Sequence, residues 1–162
     1  MHLTNIDIIR TNFNIKNNYP IISNISYTYQ YIEYLSLKIK YEHNNLVITK
    51  LLIKDYIVNS ISIIEALFYL IIKSYKPLKY RINFSKLLKI IIKDNPFKLS
   101  KEDITLLYKL KYLRNKIHIY SSYKSNLTDY NSYTKKDYLL MKTILYKILN
   151  NNYISNGKFK EI

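Results

Sequence analysis

Three histidines, three arginines and no cysteine leave this 162-residue sequence few groups able to do acid–base or covalent chemistry near neutral pH. His2 lies at the N-terminus and His43 precedes two asparagines, positions where solvated bystanders are the default. His118 stands differently, because Arg114 precedes it by four residues. On a helix, positions four apart share one face, so guanidinium and imidazole would project side by side. A guanidinium grips a phosphate through a bidentate fork. An imidazole beside it takes or gives a proton near neutral pH. Together they suit metal-independent RNA cleavage. One group would deprotonate the ribose 2′-hydroxyl or protonate the leaving oxygen, and the other would stabilise the charged transition state. Asn115 is placed to orient either partner. The same pair also reads simply as surface groups near a helix end, where a cation complements the helix dipole.

Composition narrows the alternatives. Without cysteine there is no disulfide framework, thiol nucleophile or Cys-based zinc site, which fits a reducing cytoplasm. A Walker loop or a dinucleotide fingerprint needs several glycines, and Gly157 is the only one. The histidines are scattered and no paired carboxylates accompany them, so neither a metal nor a cofactor is expected. The first residues lack the basic start and long apolar run of a signal peptide. Net charge is +15, from 26 basic and 11 acidic residues, which makes polyanions the natural partners. Nearly all the basic residues are lysine, and Lys, Ile, Asn and Tyr dominate the chain. A coding sequence rich in A and T would give that bias without selection for binding.

Apolar periodicity supplies the elements that would position such a site. Hydrophobic residues make up 48% of the chain, enough for a core, and scarce Gly and Pro favour few, long elements. Residues 6–25 read as a short helix plus loop or as a strand. Helices are predicted over 27–41, 47–75, 84–93, from Ser100 through His118, and over 134–150. Asn83 is a candidate N-cap, Ser100 to Asp103 resembles a capping box, and Asp94-Asn95-Pro96 is a stop. Ile104, Leu107, Leu110, Leu113 and Ile117 form the inner stripe of the Ser100 helix. Residues 121–133 read as a polar loop and 151–162 as a fraying tail. The run 56–72 contains no Lys or Arg and approaches the length of a membrane span. Asn59, Ser60, Ser62 and Glu65 lie inside it, and a Glu in mid-span is expensive in hydrocarbon. A central bundle helix is therefore the reading adopted, with no membrane.

The stretch Leu110-Lys111-Tyr112-Leu113-Arg114-Asn115-Lys116-Ile117-His118 resembles the signature helix of HEPN-superfamily domains, in which an Arg followed by a polar residue, often Asn, precedes a His. Asn59 to Phe68, with Glu65, is similar to the long second helix of those bundles. Phe84 to Leu88, followed by Leu99-Ser100, is similar to their short helix and turn. The resemblance spans residues 26–150. Three residues separate Arg114 from His118, fewer than is usual in the family. It implies an all-α, up-and-down bundle of four to five helices over residues 1–150. It also implies a homodimer whose two motif helices form one cleft, and an endoribonuclease or inert RNA binder of toxin–antitoxin or antiphage type. By resemblance, Arg114 would bind the scissile phosphate, His118 would be the general acid/base, and Asn115 would support them.

Lys109, Lys111 and Lys116 would then be placed to track an RNA backbone, though a solvated face accounts for them too. Tyr120 and Tyr123 could stack on unpaired bases. Glu65 has two readings: an ion pair with Arg114 across the bundle, or a buried polar network with Asn59 and Ser62. The rival to the nuclease is a non-enzymatic helical module that binds a protein such as a cognate antitoxin. It would leave apolar faces of the helices 27–41 and 134–150 exposed.

Overall fold

The computed structural model describes residues 2–15, 18–41, 45–78, 82–115 and 128–162, the side chains of 129 and 130 excepted. Seven helical segments occur among them: α1 (Ile6–Thr11), α2 (Tyr19–Tyr41), α3 (Leu46–Tyr75), α4 (Phe84–Asp94), α5 (Lys101–Asn115), α6 (Asp129–Ser132) and α7 (Lys135–Leu149). The described residues form an all-α bundle with no named strand, as expected. The expected count of four to five helices omitted α6 and left α1 open.

α3 is the centre of the bundle. α2, α4, α5, α6 and α7 all pack against it. Asn45 starts it, the side-chain oxygen accepting from Val47 N at 2.8 Å, and so satisfies one orphan donor of the first turn. Tyr56, Ile57, Ile64, Leu67, Phe68 and Ile72 are fully covered. It is the one described helix long and apolar enough to span a membrane, and half of its most apolar window is buried in the bundle.

α2 begins eight residues before the expected helix 27–41. Pro20 looks like a breaker in sequence, but here it occupies the first turn, where a missing N–H is no loss. Ile22, Ile25, Tyr29, Ile32 and Leu35 face inward. Glu33, also buried, accepts from both the amide and the hydroxyl of Thr4 at 2.7 Å, tying the N-terminal segment to α2.

α4 has the expected cap, with Asn83 Oδ1 accepting from Lys86 N at 3.0 Å. It stops at Asn95, whose left-handed backbone (φ 39°) takes the chain out of the α region before Pro96. The Asn95 side chain then bonds the Leu99 amide and carbonyl, at 2.7 and 3.1 Å, and sets the turn into α5.

Two expectations fail at the C-terminal end. The polar loop expected at 121–133 contains α6 and ends in Tyr133, which is fully buried; residues 121–127 lie outside the described ones. The tail 151–162 packs instead of fraying. Ile154 and Phe159 are buried, and Phe159 meets Phe13 and Tyr29 with ring centroids at 4.9 and 5.1 Å. Asn150 bonds the Phe159 carbonyl and amide, each at 3.0 Å, and Asn14 N donates to Ile154 O at 2.9 Å. Covering one phenylalanine is worth about 2 kcal/mol, so the tail closes the core beside α1 and α2.

Candidate functional site

Arg114 and Asn115 are the last two described residues of α5, a helix anchored at its start, along its length and near Arg114. At its start Ser100 and Asp103 form the expected capping box, with Ser100 N donating to Asp103 Oδ2 at 2.8 Å and Asp103 N to Ser100 Oγ at 3.1 Å. Along its length Leu107, Leu110 and Leu113 are buried. Near Arg114 the hydroxyl of Tyr133 donates to the Leu113 carbonyl at 2.9 Å. Tyr133 therefore pins the turn from which Arg114 projects.

The guanidinium reaches from α5 to α3. Arg114 Nη2 donates to Glu65 Oε2 at 3.4 Å, and Nη1 donates to Asn115 Oδ1 at 3.5 Å. The Arg114 side chain remains 35% exposed and that of Glu65 26%. Of the two readings of Glu65, the ion pair is the one formed. Asn59 and Ser62 instead bond carbonyls of their own helix, Asp55 O at 2.8 Å and Val58 O at 3.0 Å. Both Arg114 contacts are at the long limit for hydrogen bonds, and a half-open pair of this kind is worth no more than about 1 kcal/mol. Glu65 thus steadies the guanidinium without consuming it. A phosphate arriving with fork-matched oxygens can displace or share that contact.

The remaining expected residues divide. Lys116, His118 and Tyr120, with Ile117 and Tyr123, lie outside the described residues. Lys111 stands one helical turn before Arg114, with its ammonium 5.9 Å from the Tyr108 ring centre. Lys109 keeps half of its side chain exposed but has a partner on another helix. It turns to α7 and pairs with the nearly buried Asp137 at 2.6 Å, because that carboxylate, already engaged in the Thr134 capping box, needs a cation. Two exposed aromatics of α5, Tyr108 and Tyr112, escaped the sequence reading. Their signal is spacing: with Lys111 and Asn115 they recur at three- and four-residue steps on the open face. Among the described residues no cluster of three metal-ligating side chains occurs.

The Lys109–Asp137 pair has a pH consequence. Burial pushes the Asp137 carboxyl up, but hydrogen bonds from Lys109 and Thr134 outweigh it and hold it below the usual range. A carboxyl lowered in the folded state adds stability above its unfolded value of about 3.9, and loses it as pH falls through the lower folded value. Asp137→Asn is expected to be less stable at neutral pH and to lose less stability than wild type between about pH 5 and pH 2. Urea unfolding at a series of pH values checks this; an unchanged pH slope would show that Asp137 is not the group responsible. A second pair, Asp103 with Lys147, ties the start of α5 to the end of α7. The two pairs together make α5 and α7 antiparallel.

No family model, curated protein or solved structure matches the chain.

Proposed function

We propose that the chain is a HEPN-like, metal-independent endoribonuclease of toxin or antiphage-defence type, or an RNA-binding relative that has lost cleavage. What carries this reading is the setting of Arg114: the arginine of the motif stands on a well-anchored helix, partly open to solvent, with Glu65 and Asn115 holding its guanidinium. In this reading Arg114 binds the scissile phosphate and offsets the charge that develops on it. His118 exchanges the proton with the ribose 2′-hydroxyl or the leaving 5′-oxygen. Attack by the 2′-oxygen forms a bond to phosphorus as the 5′-oxygen leaves, which produces a 2′,3′-cyclic phosphate. Two protomers bring their motif helices together in a cytoplasmic homodimer.

The test is RNA cleavage by purified protein in EDTA, with wild type beside His118→Ala and Arg114→Ala. Cleavage by wild type alone, leaving cyclic phosphate ends, supports the nuclease. Failure of wild type on both structured and unstructured RNAs moves the reading to its rival, a non-enzymatic module partnered with a protein such as an antitoxin. A specific observation favours that rival: large apolar side chains are exposed on α7 (Leu139, Tyr146) and at the start of α3 (Leu46, Val47). They are aliphatic for the most part, as a protein contact requires.

A further inference from the structure

The open face of α2 has a different chemistry from those aliphatic patches. Tyr27, Tyr31, Tyr34, Lys38 and Tyr41 recur at steps of four, three, four and three residues, the spacing of a single helical stripe. The four tyrosines are 50%, 42%, 41% and 57% exposed. From Tyr27 to Tyr41 the stripe runs roughly 21 Å along the helix axis. Tyr31 and Tyr34 lie nearly parallel, 20° apart, with centroids separated by 6.5 Å. A cation stands over each of the other rings or beside the pair: Arg10 is 5.2 Å from the Tyr27 ring centre, Lys38 5.2 Å from that of Tyr34, and Lys40 4.8 Å from that of Tyr41.

We infer that this face of α2 is a stacking platform for single-stranded RNA. Exposed rings offer π-faces that any unpaired base can cover, and the interleaved cations meet the phosphates between them. The charge supports a polyanion. The only acid on α2 is Glu33, which is buried and taken up by Thr4. Among the described residues, Asp7 pairs with Arg10 at 2.8 Å, and the Tyr31 hydroxyl pKa is raised by burial and then by the charge of Asp55 on α3. A second copy of this chain is disfavoured as occupant, since it would bring another +15 charge to the contact. A duplex is disfavoured because its base faces are hidden in its own stack. The stripe is long enough for on the order of four to six nucleotides. The choice of RNA over DNA rests on the ribonuclease reading; the platform itself does not.

The test measures binding of the full chain to a labelled 12-nucleotide oligouridine RNA by fluorescence anisotropy. Parallel samples contain the DNA counterpart, an RNA duplex, and vesicles of phosphatidylserine and phosphatidylcholine. The double variant Tyr31→Ala/Tyr34→Ala is expected to bind the RNA at least about tenfold more weakly. Tyr31→Phe/Tyr34→Phe, which keeps the rings, is expected to stay within about threefold of wild type. Lys38→Gln lowers the salt slope of binding by about one, a readout that survives if the alanine variant loses its helical circular dichroism. Wild-type binding with these losses, and weaker binding of duplex, supports the platform. It is overturned if a folded alanine variant binds as tightly as wild type, or if the phenylalanine variant loses as much as the alanine one. Tighter binding of DNA or of the anionic vesicles, or no binding of RNA at all, overturns it too. Repeating the series in Arg114→Ala separates the two claims. RNA held through α2 by a protein that never cleaves it sinks the nuclease and leaves the platform standing, and cleavage untouched by the α2 variants does the reverse.

Discussion

Arg114→Ala is expected to lower RNA cleavage by about two to three orders of magnitude while leaving the fold in place. The magnitude follows from what the guanidinium does in the proposed reaction. Negative charge accumulates on the non-bridging oxygens as the 2′-oxygen attacks, and a donor fixed in place beforehand stabilises that charge without reorganising. Arg114 is so fixed, by Glu65 from α3 and by its neighbour Asn115. The fold survives because the pair is half exposed and near its length limit, so its loss removes no more than about 1 kcal/mol of stability. Arg114→Lys is the sharper comparison. It retains the charge but loses the planar fork, so it should recover part of the rate and not all. The measurement is single-turnover cleavage in EDTA with urea unfolding alongside. Full activity in Arg114→Ala would remove the arginine from the chemistry and leave it a surface cation.

How much of this was legible in sequence depends on the range of the interaction that fixes each residue. α3, α4, α5 and α7 could be read because their determinants are local: Asn83 as a cap, the Ser100 capping box, the Asn95-Pro96 stop, and apolar residues at helical spacing. Thr134 and Asp137 complete the same kind of box at the head of α7. α2 was misjudged at its start because Pro20 carries opposite meanings in a first turn and in a helix interior. The packed tail was illegible for another reason. Ile154 and Phe159 follow no period, and what holds them is Asn150 and the distant Phe13 and Tyr29. The partner of Lys109 was illegible for the same cause: its carboxylate lies on another helix, and no spacing rule points there. Within the site, Glu65 could be paired with Arg114 only as one of two readings, since sequence gives the inward face of α3 but not which side chain on α5 meets it.

Tyr133 carries the second large prediction, and it binds fold to site. The residue sits at the end of a polar stretch, yet its ring is fully buried and its hydroxyl donates to the Leu113 carbonyl. Tyr133→Ala is expected to destabilise the protein by about 3–5 kcal/mol, the range for removing a buried aromatic ring. Against the total of about 5–15 kcal/mol typical of a domain, that is a large share, and the midpoint of thermal unfolding should fall by roughly 10 °C or more. Tyr133→Phe isolates the hydrogen bond. The ring stays, but the Leu113 carbonyl of α5 loses the hydrogen bond from the Tyr133 hydroxyl, at about 1 kcal/mol. The turn around Leu113 carries Arg114 and Asn115, so Tyr133→Phe should also reduce cleavage several-fold without touching RNA. Urea unfolding read at constant m-value, with cleavage on the same samples, separates the two effects. If Tyr133→Phe matches wild type in stability, the Leu113 carbonyl has found another donor, and Tyr133 serves the core alone. If it is less stable but cleaves normally, the end of α5 is held by the leucine stripe, and the position of Arg114 does not depend on the hydroxyl.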